Sequence, residues 1–128
     1  MSSSMRTPLA RVRGLGSARE GAEHFWMQRV TAVANLVLVI FLLGLIVSLL
    51  GQDYASARAA IGQPLIAIPL LLLIISGAYH MRLGMQVVVE DYVRAEGTKL
   101  ILLMLNTFFA IAIAVASIFS ILKLSFGA

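Results

Sequence analysis

Polar and apolar positions along this chain separate into three long apolar runs, Val30 to Leu50, Leu65 to Val89 and Leu100 to Leu122, divided by two short polar stretches and preceded by a polar arm. A helix that crosses a bilayer needs about 20 predominantly apolar residues at 1.5 Å rise each, and every run reaches that length. The pattern predicts an all-α membrane protein of three transmembrane helices, at about residues 30–50, 65–89 and 100–122. Residues 1–29 then form an N-terminal arm and interfacial segment, and 30–128 a single membrane domain. Gly51 to Gln63 reads as a short, mildly polar connection. Pro64 suits a first helical turn, and Pro69 predicts a kink or the end of a preliminary turn. On the third run Ala112, Ala116 and Ser120 recur at spacing four, as do Ala110 and Ala114. Small residues at that spacing let helices approach closely in lipid. Internal repeats are not evident, which disfavours a carrier built from inverted halves.

Composition agrees with the pattern. Of 128 residues, 60% are hydrophobic and 12% charged, which is integral-membrane composition. With no cysteine, disulfides, thiolate metal sites and iron–sulfur ligation within the chain are excluded. Any bound metal relies on His24 or His80. The net charge of +4 is not a nucleic-acid footprint, because five of the ten basic residues are Arg6, Arg11, Arg13, Arg19 and Arg29 in the arm. The first loop carries Arg58, the second Arg94 and Lys99, and the tail Lys123. Basic residues stay on the cytoplasmic side, so the N-terminus is expected in the cytoplasm and the C-terminus in the periplasm. The arm lacks the short apolar core of a secretory signal. Its opening stretch, with Ser and Arg but no acid, also has the look of an organellar transit peptide.

Within this frame His80 stands out, since an ionisable ring at membrane depth is a functional site with a partner by default. Ser76, Gly77, His80 and Gly84 share a helical face, with small residues above and below the imidazole. That leaves room for a flat macrocycle whose iron the histidine reaches; the alternative is a packing stripe in which His80 hydrogen-bonds a neighbouring helix. Arg82, two residues on, must face another side. Asp91 follows eleven residues after His80, roughly 16 Å along a helix, near the membrane surface. Asp91 and Tyr92 read either as an ordinary helix terminus or as a phenol and carboxylate suited to a quinone carbonyl and its protons. Glu90 adds local negative charge, which Arg82 and Arg94 are placed to offset. On the first run Arg29, Thr31 and Asn35 make a polar face that needs protein or ligand beside it. Arg29 either snorkels to headgroups or holds an anionic group such as a propionate. His24 and Trp26 read as interfacial.

The string HMRLGMQVVVEDY from His80 to Tyr92 fits His-x3-Gly-x6-Asp-Tyr, and it follows QRVTA at Gln28 to Ala32. Together these resemble the smaller hydrophobic anchors, the D subunits, of succinate dehydrogenase, respiratory complex II. RVRGLGSAREGAEHFWMQRVTAVAN is similar to proteobacterial members, which argues for mature sequence in the arm. By position, the resemblance implies that His80 is an axial ligand to haem b, Tyr92 the residue that hydrogen-bonds ubiquinone, Asp91 its neighbouring acid and Arg29 a haem-propionate contact. It also implies that the haem is shared with a second membrane anchor, the cytochrome b anchor, and that an iron–sulfur subunit and a flavoprotein complete the complex.

The expected function is thus that of a membrane anchor of succinate:ubiquinone oxidoreductase in the bacterial inner membrane, or the mitochondrial inner membrane if the arm is a transit peptide. The succinate chemistry would lie in partner subunits. The rivals are an anchor of a quinol:fumarate reductase and a non-redox membrane scaffold or assembly protein.

Overall fold

The computed structural model describes residues 5–14, 16 and 20–127 and is helical almost throughout. A short helix α1 (Pro8–Val12) precedes three long ones, α2 (Glu20–Leu49), α4 (Pro64–Tyr92) and α5 (Glu96–Phe126), with α3 (Tyr54–Ile61) between the first two. The long helices have 30, 29 and 31 residues. At 1.5 Å per residue each is about 45 Å long, more than a hydrocarbon core of about 30 Å. All three are long and apolar enough to cross a membrane, and their ends extend past its apolar layer.

Local signals set the boundaries. Pro8 and Pro64 open α1 and α4, where the missing N–H has no helical partner to lose. Gly51 adopts φ 78° after α2, the left-handed conformation that ends a helix and that glycine adopts without a Cβ penalty. Asp53 caps α3 by accepting from the Ser56 amide at 3.0 Å. Hydrogen bonds from the Ser56 hydroxyl and amide hold its carboxyl below the ordinary carboxylate value.

Three expectations need correction. α2 is already helical at Glu20 and not first at Val30, so His24 and Arg29 of the interfacial segment lie within it. Glu20 and Glu23 in its first turn favour the positive end of the helix dipole, a signal that a search for apolar runs passes over. The connection after α2 holds the helix α3, which Asp53 nucleates. Finally, α4 runs unbroken through Pro69, so no preliminary turn ends there. Arg19 of the basic arm lies outside the described residues.

α4 is the central helix, packed against both α2 and α5, while α3 lies against α5 and α4. Among the described residues few side chains are buried: Thr31, Leu45, Ala67, Leu70, Leu83, Val89 and Ala110. Val33, Leu36, Val37, Leu105 and Phe119 are more than half exposed, as suits residues facing lipid or another subunit. In lipid the hydrophobic effect does not pull helices together, so small residues and interhelical hydrogen bonds take over. Ala110 is the buried small residue of α5, with Ala114 half-buried beside it; Ala112, Ala116 and Ser120 face outward. The Asn106 amide donates to the Arg82 carbonyl at 2.9 Å, and Arg82 Nε donates to the Thr107 hydroxyl at 3.2 Å. These bonds tie α4 to α5 on the side away from His80.

Candidate functional site

The antiparallel run of the helices brings the first half of α2 beside the second half of α4. There a cleft of about 560 Å³ opens, with Gly21, His24, Gln28 and Arg29 from α2 facing His80 and Gly84 from α4. His80 is half-buried, and its Nδ1 lies 2.9 Å from the Thr31 hydroxyl across the helix pair. Its Nε2 has no hydrogen-bond partner among the described residues. One turn away, Ser76 Oγ donates to the Thr31 carbonyl at 3.4 Å. Gly84 keeps the wall low, since a Cβ there would meet only Gln28 Nε2, at 3.8 Å. Arg29 stands exposed at the rim with its guanidinium 4.9 Å above the centre of the Phe25 ring, a cation–π pair one helical turn apart. Buried His24 Nε2 and Gln28 Oε1 have no hydrogen-bond partner among the described residues.

Of the residues singled out in the sequence, the fold brings His80 and Arg29 to the same cleft. Asp91 and Tyr92 are elsewhere, both exposed at the last turn of α4, with Tyr92 at 81% of its full accessibility. Twelve residues separate His80 from Tyr92, about 18 Å of helix. Glu90 is held by Gln86 Nε2 at 2.9 Å, and Arg82 turns to Thr107 on the opposite face of α4 instead of offsetting that charge. His24 belongs to the cleft wall. The spacing was available: Gly21, His24, Gln28 and Ala32 recur at three and four once the helix is started at Glu20. Thr31, seen beforehand only as part of a polar face, is the buried polar partner of His80.

Chemically, the cleft presents two imidazoles, of His80 and His24, and one guanidinium beside small residues, with His24 Nε2 and Gln28 Oε1 unpaired among the described residues. No group of three or more His, Cys, Asp or Glu side chains able to hold a bare metal ion occurs among the described residues. A metal that arrives in its own macrocycle asks less of the protein, an axial nitrogen and a flat apolar wall, and His80 with Gly84 and Ala32 fits that demand. The Asp91–Tyr92 end offers a phenolic donor and a carboxylate on an open surface.

A family model described as succinate dehydrogenase/fumarate reductase transmembrane subunit matches residues 3–119. The chain is 31% identical over 121 residues to a succinate dehydrogenase hydrophobic membrane anchor subunit of Rickettsia bellii, covering 94% of this chain and 97% of that protein. It is 30% identical over 122 residues to the subunit so named from Paracoccus denitrificans, covering 95% and 94%. A succinate dehydrogenase membrane anchor subunit of Reclinomonas americana is 26% identical over 98 residues, covering 74% of this chain and 82% of that protein. No solved structure gives a significant match. Three membrane-length helices and similarity running almost end to end lead to one conclusion: the chain belongs to the succinate dehydrogenase/fumarate reductase transmembrane subunit family, among the hydrophobic membrane anchors.

Proposed function

We propose that this chain anchors a succinate:ubiquinone oxidoreductase in the bacterial inner membrane, supplies one axial ligand to haem b through His80, and forms part of the ubiquinone-reduction site with Tyr92 and Asp91. The observation that carries the reading is an imidazole at membrane depth lining a cleft with an arginine at its rim. The relatives' names support succinate oxidation over fumarate reduction as the direction.

On this reading the basic arm lies on the cytoplasmic side. His80 would hold the iron from one side, and a cytochrome b anchor would contribute the second ligand. Arg29 would neutralise a propionate. Bound haem b supplies a place to hold one electron within the membrane. A flavoprotein and an iron–sulfur subunit deliver the electrons of succinate to the end of α4. There the Tyr92 hydroxyl donates a hydrogen bond to a quinone carbonyl, and Asp91 with water passes protons inward. Two electrons and two protons convert each quinone to quinol. The exposure of Tyr92 on this chain fits a site whose other wall belongs to partner subunits.

The test is the His80→Ala complex. It should lose the low-spin b-type spectrum or show it severely weakened; an unaltered spectrum would mean that the iron is ligated elsewhere.

A further inference from the structure

The hydroxyl of Thr31 meets three groups at bonding distance and has one proton to give. Its oxygen lies 2.8 Å from the Met27 carbonyl oxygen and 2.9 Å from His80 Nδ1. Two oxygens that close need a proton between them, and a carbonyl has none, so the hydroxyl proton points at Met27. The Gln28 carbonyl at 3.3 Å on the same helix makes the same demand. What the hydroxyl turns toward His80 is a lone pair, which only accepts. Nδ1 therefore carries the ring proton, and in a neutral imidazole the free lone pair then sits on Nε2. This assignment follows from the hydrogen-bond network.

We infer that Thr31 is the positioning residue for His80, fixing the ring in its Nδ1–H tautomer and presenting Nε2 as the metal-binding nitrogen. The inference rests on the haem reading above and adds a second residue to it. A ligating histidine is oriented, and made a stronger base, by whatever its other nitrogen donates to. Back-bonding to the preceding turn is common for threonine in membrane helices, and it accounts for the Met27 contact alone. It does not account for a bond to a ring 49 residues further along the chain. Thr31 is only 6% exposed, so water does not replace it as the acceptor. Ser76, bonded to the carbonyl of the same residue, holds this turn of α2 against the turn of α4 that precedes His80.

The experiment compares Thr31→Val and Thr31→Ser in the whole complex purified from its native membrane. Valine keeps the shape and removes the acceptor, whereas serine keeps the acceptor and removes a methyl. With valine, haem retention should fall about 10- to 100-fold. The haem that remains should show a raised midpoint potential, because a less basic imidazole stabilises ferric iron less, and a shifted low-spin electron paramagnetic resonance signal. Serine should restore both. Wild-type potential and signal in the valine complex, or a serine complex that behaves like valine, would overturn the inference. Should the valine complex fail to assemble, nitrogen-15 NMR of the histidines in the full-length wild-type chain in detergent decides: protonated Nδ1 is expected, and protonated Nε2 contradicts it. A wild-type complex without haem would sink the functional reading, while the NMR experiment still reports the tautomer.

Discussion

An imidazole placed among lipid chains is tolerated only if its polar atoms find partners, since an unmade hydrogen bond costs about 1–3 kcal/mol. At His80 one nitrogen has Thr31, and the other faces a cleft that a ligand can fill. His80 was legible in the sequence because polar residues are rare in apolar runs, and its depth was legible by counting. Thr31 was not, because its partner sits 49 positions away and only the crossing of α2 and α4 joins them. On the proposed reading, Tyr92 and Asp91 serve a separate function, about 18 Å along α4. Replacing Tyr92 with Phe removes one hydroxyl from an exposed ring, so folding and haem content should be untouched. Quinone reduction should fall by about 10²-fold, measured as succinate-dependent reduction of a soluble ubiquinone analogue. Unchanged kinetics would remove Tyr92 from the site.

The helices differ in what holds them. α4 is tied to α2 by the contacts of Thr31 with Ser76 and His80, and to α5 by Arg82, Asn106 and Thr107. Interhelical bonds of this kind average about 0.6 kcal/mol in membrane proteins. Close packing therefore has to contribute, and Ala67 and Ala110 supply it. The three spans were legible because a bilayer imposes a length. Their true ends were not, since a helix persists into the headgroup layer, where Glu20 and Glu23 are as welcome as leucine is below. α3 was missed because alanine-rich segments carry weak period, while its cap, Asp53 with Ser56, was in plain view. Gly62 marks where α3 meets α5: a Cβ there would come within 2.6 Å of the Leu124 carbonyl oxygen. Gly62→Ala should destabilise the chain by about 1–3 kcal/mol, seen as earlier thermal unfolding in detergent. Gly44→Ala, with nothing within 4 Å, is the control and should unfold no earlier than wild type.

As a whole the molecule is a layer of three long helices with few buried side chains, and that sparseness belongs to a subunit more than to a self-sufficient protein. On the proposed reading, one histidine is half of a haem's axial ligation, and one exposed tyrosine is one wall of a quinone site. What accompanies the chain in its membrane is therefore decisive. The direct test is to purify it from its native membrane in mild detergent, record a dithionite-reduced minus oxidised spectrum, and identify the proteins that come with it. A b-type α-band together with a second membrane anchor, an iron–sulfur subunit and a flavoprotein is the predicted result. A chain that comes alone and colourless would contradict the account and leave a helix-packing scaffold in its place.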